Sequence, residues 1–245
     1  DDAHGLGVLA GHFQTFLYTI YIAGAWLIFR AITLRLPWRW ALPAGAVLAL
    51  TVAGASAAQW LPSLQLAGMS PRAGLSYAEV AHGFSPAELW GLLRPNPGEW
   101  TPLYVGLLPL ALGIAGVIWR RGQGAFWAIA ATAGALLSLG GNGFLYPIFH
   151  RFAPGFAMFR DQERAAFVVS FSLAVLAGLG YAVLRDRWRG LRLALPALAL
   201  AVVADLFLAN AGVIVQPAPA GGYFAGNSAL AFMQQFEEPR IWRVA

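Results

Sequence analysis

The chain has 245 residues, 59% of them hydrophobic and only 11% charged, with a mean hydropathy of +0.62. A soluble domain carries more than twice that share of charge and has nowhere to hide so much apolar surface, whereas a bilayer has. The net charge of +5 comes from sixteen basic residues, all Arg, and nine of them fall in three short segments between apolar runs. That pattern orients membrane spans and argues against nucleic acid as a partner. Cys is absent, and the four His, at 4, 12, 82 and 150, lack metal-ligand spacing. Disulfides are therefore excluded, and no metal or other cofactor is expected.

Six apolar runs are long enough to cross a bilayer: 6–29, 41–61 (ended by Pro62), 103–119, 125–140, 165–184 and 193–213. The expected fold is an all-α polytopic membrane protein with about six transmembrane helices, residues 1–213 forming one transmembrane domain. Arg30, Arg35 and Arg39 follow the first run, Arg120 and Arg121 the third, and Arg185, Arg187, Arg189 and Arg192 the fifth. Every group follows an odd-numbered run, so one alternating topology places 30–40, 120–124 and 185–192 in the cytoplasm. The segments 63–102 and 141–164 and the tail then lie outside.

The outer segments hold structure of their own. Ser76–Glu79 and Ser85–Glu88 read as capping boxes, the second with Pro86 at the first helical position. The second predicts a short interfacial helix running on to Arg94 and stopped by Pro95. Trp60, Trp90, Trp100 and Tyr104 suit an outer aromatic belt, and Trp26, Trp38, Trp40, Trp119 and Trp188 an inner one. The pairs Gly113/Gly116 and Gly178/Gly180 suit close helix packing. After 213 a Pro/Gly-rich linker leads to a short helix capped by Asn227 or Ser228 and a strand-like run at 239–244, read as the start of a truncated outer domain (214–245). With no initiator Met and no signal-peptide pattern, the chain is expected to be an internal piece of a longer protein.

Polar residues beside hydrocarbon are the functional candidates. His12 and Gln14 lie near the outer end of the first run; two apart, they are expected on different sides of the helix, with Tyr18 below Gln14. They read equally as interhelical hydrogen bonding and as the wall of a pocket open to the outside. Gln59, at the outer end of the second run, is an interfacial residue or a site residue. Asp205 is the one acid within a run, and either works at a site or bonds a neighbouring helix. Arg72, Arg160 and Arg164 are outer guanidinium groups, whose fork of donors matches phosphate. Arg160 and Arg164, four apart, can share a helix face, but Asp161 and Glu163 stand among them and local salt bridging is the competing reading. Asp161 also suits a cap on the fifth span.

The ordered set Gly11-His12-Phe13-Gln14 with Tyr18, Gln59-Trp-Leu-Pro62 followed by Ser70-Pro-Arg72, Tyr104-Val-Gly106 with Pro109-Leu110, and Phe159-Arg160-Asp-Gln-Glu163-Arg164 ahead of Leu176 to Gly180 resembles the YfhO-type bacterial membrane proteins. These are related to the GT-C superfamily of membrane glycosyltransferases. The resemblance covers most of 6–210. It implies a GT-C-like fold in the bacterial inner membrane. It also implies a polyprenyl-phosphate-linked sugar donor, transfer to an extracytoplasmic acceptor, and inversion at the anomeric carbon. The catalytic acid of such enzymes lies in the loop after the first span, which is expected upstream of this chain. Arg72, Arg160 and Arg164 are then candidates for the departing phosphate, and His12 and Gln14 for the sugar or phosphate pocket. A transporter of lipid-linked solutes and a non-catalytic membrane scaffold are the competing readings.

Overall fold

The computed structural model describes residues 12–69, 75–95, 103–188, 190 and 194–214. Of these residues 82% are helical, and no strand occurs among them. Arg72, Trp100, the N-terminal Asp pair and the expected linker, helix and strand after 214 lie outside the described residues.

Helix α1, Phe13–Thr33, is an unbroken apolar run that stops where Arg35 takes a left-handed backbone (φ 51°) and Pro37 follows. Its 21 residues rise about 32 Å, enough for a hydrocarbon core of about 30 Å. Only Gln14, Tyr18 and Ala31 are buried on it. The second apolar run is not one rod: α2, Trp38–Ala55, and α3, Ala57–Gly68, meet at 69°. Pro62 lies inside α3 instead of ending the run. The bend falls at Ser56, just after Gly54, among small residues that resist bending least. In a continuous helix the Ala53 carbonyl would take the Ala57 N–H. Here the Trp60 indole N–H donates to it at 2.8 Å, and the Ser56 hydroxyl donates to Val52 O at 2.6 Å.

Three helices form the tightest packing: α5 (Leu107–Trp119), α6 (Arg121–Ser138) and α8 (Ala166–Arg187). The α5–α8 seam is made by absent side chains. A Cβ on Gly116 or Gly180 would overlap the carbonyl of Leu176 or Leu112, and one on Gly113 would touch Leu176. Gly178 faces open space, contrary to the expected Gly178/Gly180 pair. Residues two apart are about 200° apart around a helix, so only one of them can face the seam. Gly113 and Gly116, three apart, both do.

By length and composition two stretches can cross a membrane, α1 and 162–187, or three if the bent α2–α3 pair counts as one. Helix α5 and residues 196–211 of α9 (Leu195–Ile214) are shorter apolar helices. The Arg-rich connections gather at one end of the bundle. Arg120 lies 3.8 Å from Asp186, Arg187 stands over the Trp119 ring, and Trp26, one turn before Arg30, packs on Phe126 and Trp127 at the start of α6.

The opposite end holds the buried core, because there loops pack on helix ends. Tyr18, Val80, Leu137, Tyr146, Phe156, Ala165 and Val168 form one cluster, and Phe84, Leu103, Leu139, Ala166 and Val169 a second. Both capping boxes are present, at α4 (Tyr77–Val80) and at Pro86–Leu92. The latter is a 3-10 turn and ends before Arg94, unlike the expected interfacial α-helix. With three residues per turn, Leu89 and Leu92 fall on one side, and both pack on the second cluster while Trp90 stays exposed. A further helix, α7 (Leu145–Phe152), sits where only a loop is expected; its Tyr146 is fully buried.

Candidate functional site

Two buried amides tie this end together. Gln14, 3% exposed, faces the same side of α1 as Tyr18, as expected for residues four apart. Its Nε2 donates to the Tyr18 hydroxyl at 3.0 Å, to Arg160 O at 2.9 Å and, more weakly, to Asp161 O at 3.3 Å. The Tyr18 hydroxyl donates to Gln162 Oε1 at 3.0 Å. Gln162, 1% exposed, donates from Nε2 to Phe159 O at 2.7 Å and to Val80 O at 3.1 Å, while its backbone N–H reaches His82 O at 2.7 Å. One hydrogen-bonded chain thus joins α1, the 159–162 loop and the 80–82 loop. Gln162 is the residue sequence reasoning missed; its only local signal is a neutral amide inside a run of four charges.

Asp161 makes this possible. Its backbone is left-handed, φ 61° and ψ 69°, which turns the Arg160 and Asp161 carbonyls toward Gln14. It precedes the 3-10 turn Gln162–Ala165 but makes no capping bond with its side chain, contrary to the reading of Asp161 as a cap. Its carboxylate takes Arg164 instead, at 3.3 Å. The same break parts the two Arg expected on one helix face. The Arg160 carbonyl is fixed by Gln14, ahead of the 3-10 turn that carries Arg164. The Ser76 hydroxyl, then the Ser76 N–H and, least, the charge of Arg160 hold the Glu79 carboxyl below its ordinary range.

Arg164 turns toward α1. Its NH1 lies 3.4 Å from Gln14 Oε1 and 3.4 Å from His12 Nε2, and its side chain is 44% exposed. His12 is not on the opposite face from Gln14, because it lies outside the helix as its N-cap, with Nδ1 accepting from the Thr15 N–H at 3.3 Å. In that tautomer the neutral ring carries its proton on Nε2, and two N–H donors, Nε2–H and Arg164 NH1, face one another. An oxyanion seated beside them satisfies both. In the other tautomer Nδ1–H donates to the Thr15 hydroxyl at 2.8 Å and Nε2 accepts from Arg164 NH1 at 3.4 Å.

The remaining candidates lie apart from this group. Gln59 is half-buried on α3, its carbonyl taken by the Ser63 hydroxyl at 2.8 Å. Asp205, on α9, accepts the Tyr104 hydroxyl at 3.1 and 3.2 Å, and Gly106 backs onto it so closely that a Cβ there would sit 2.8 Å from Oδ2. Of its two expected roles, this geometry is that of a bond to a neighbouring segment.

His12 also stands at the lip of an apolar cleft of about 1050 Å³ between α1 and α2, open along one side. Thr15, Ser56 and Trp60 lie with it at that end, and Arg30 and Trp38 at the other. No protein-family model, curated protein or solved structure matches the chain.

Proposed function

We propose that this chain belongs to a YfhO-type, GT-C-like membrane protein. In this reading its six spans are α1, α2–α3, α5, α6, α8 and α9, and the group of His12, Gln14 and Arg164 binds the phosphate of a polyprenyl-phosphate sugar donor. The observation that carries it is the half-exposed Arg164 guanidinium, turned over the cap of α1 with the His12 ring 3.4 Å away. Sugar transfer from such a donor leaves a phosphate anion, and a cation already positioned beside it lowers the barrier. The attack also requires a carboxylate within hydrogen-bond reach of the acceptor hydroxyl. Asp161 is engaged by Arg164 and Asp205 by Tyr104, so this reading assigns the base to neither.

Those same bonds favour a second reading, a non-catalytic scaffold in which Arg164 only braces the loop. Binding of undecaprenyl phosphate to the purified protein in nanodiscs separates the two. The donor reading expects Arg164→Ala to weaken binding about tenfold or more, a loss of about 1.4 kcal/mol or more. It expects Asp161→Asn, which releases the guanidinium, to tighten binding. Equal affinity of all three proteins defeats the phosphate assignment and leaves the scaffold.

A further inference from the structure

We infer that α7 is a membrane-interface anchor. Phe144, Ile148 and Phe152 enter the acyl chains of the leaflet at the Arg164 end, and Arg151 takes the phosphate of an anionic phospholipid there. This seating is independent of what Arg164 binds. It requires only that α1 and 162–187, which have the length and composition of spans, cross a bilayer. The first observation is the exposed face. Phe144, at the N-cap of α7, and Ile148 and Phe152 are 66%, 50% and 73% exposed. Four residues apart, they step by about 40° each time, so all three fall within about 80° of the helix surface. An apolar stripe left open in this way marks contact with lipid or with another protein. The opposite side of α7 is already used. Tyr146 is fully buried, and Phe149 packs on Phe156 and on Tyr21 of α1, with ring centroids 5.0 and 6.5 Å away.

Depth and charge single out lipid. Tyr21 lies about 12 Å along α1 from Phe13, and Gly155, just past α7, lies against the Leu17 side chain. Helix α7 is therefore held beside the first turns of α1, not above its end. Its eight residues rise about 12 Å, too few to cross a core of about 30 Å. A short helix at that depth, packed on a span by one side, meets the boundary of headgroups and acyl chains with the other. Arg151 is the one permanent charge of α7 and is exposed beside the stripe. It makes no ion pair among the described residues, and its guanidinium lies 5.5 Å from the centroid of the Phe152 ring. A stem laid along an apolar ring, with its charge left over, is how Arg reaches a phospholipid phosphate from below.

The chain has no native Cys, so Phe144→Cys, Ile148→Cys and Phe152→Cys can each carry a single bimane fluorophore. The whole chain is placed in vesicles of phosphatidylcholine and phosphatidylglycerol. The quenchers are lipid brominated high on its acyl chain, and aqueous iodide. Brominated lipid should quench all three labels, and iodide should leave them bright. Quenching by iodide without quenching by lipid puts the stripe in water and sinks the inference. If neither quencher reaches the labels, protein covers the stripe and the lipid seat is overturned. Energy transfer between differently labelled copies then tells whether that protein is a second copy of the chain. For Arg151, brominated phosphatidylglycerol should win over brominated phosphatidylcholine at the Ile148→Cys label by about fivefold in relative binding constant. Adding Arg151→Gln should make the two lipids equal. A preference that survives Arg151→Gln, or one that is missing while Arg151 is present, overturns the phosphate contact.

Discussion

Tyr18 carries a buried hydroxyl that both accepts from Gln14 and donates to the equally buried Gln162. Tyr18→Phe keeps the ring against Phe156 but strands Gln162 Oε1. A buried acceptor left unpaired costs about 1–3 kcal/mol, so the variant should lower unfolding free energy in detergent by about that amount. Glu79 gives the pH dependence. Its carboxyl is depressed chiefly by the Ser76 hydroxyl, so its stabilisation is present above the unfolded value of about 4.3 and is lost as pH falls through the lower folded value. Hydrogen exchange at 76–80 should therefore stay slow well into acid and then rise, and Glu79→Gln should remove that pH dependence. The Gln14–Tyr18 pairing was legible because four residues on a helix are neighbours whatever the tertiary fold. Gln162 was not, since its partners Tyr18 and Val80 are 144 and 82 positions away and no local pattern reports a contact at that separation. The left-handed Asp161 gave no glycine to announce it.

Helix edges were legible where a charge or a cap marks them, and the breaks within helices were not. The apolar run 41–61 has the composition of a span, yet it bends by 69°, and at the bend Trp60 takes the Ala53 carbonyl from within the run. Trp60→Phe removes that donor. The expected result is a straighter or more variable α2–α3 angle, read as a changed distance between spin labels at Leu42 and Leu64; an unchanged distance would assign the bend to backbone alone. The α5–α8 seam offers a sharper contrast. Gly180→Ala forces a methyl onto the Leu112 carbonyl and should destabilise by about 1–3 kcal/mol. Gly178→Ala, on the open side, should be neutral or stabilise by up to about 1 kcal/mol through helix propensity. Thermal unfolding of the two proteins side by side measures the difference.

The molecule as a whole is polarised. One end carries the Arg-rich connections with their Trp neighbours, and the other carries the buried core, the hydrogen-bonded amides and Arg164. If the six-span reading holds, these ends face opposite sides of the membrane. The chain has no native Cys, so single Cys at the exposed positions Arg121 and Arg151 should react with an impermeant maleimide from opposite sides. Labelling of both from one side would overturn the alternating topology. The polarity itself was readable from charge placement alone. The meeting of His12 and Arg164 was not, because it joins a helix N-cap to an arginine 152 positions away.

The amide chain at this end has a consequence for how the protein is made. If α1 spans a membrane, Tyr18 enters the bilayer while Gln162 is still 144 residues from being synthesised, a delay on the order of ten seconds at ribosomal speed. Throughout that wait Gln14 and Tyr18 would have each other but not the 159–162 loop that later buries them. Nascent chains arrested before Arg160 should leave a Cys at position 14 open to labelling, and chains arrested well after α8 has emerged should protect it. Seating of α1 on the 159–162 loop then waits for that loop, although α1 is the earliest described helix to be synthesised.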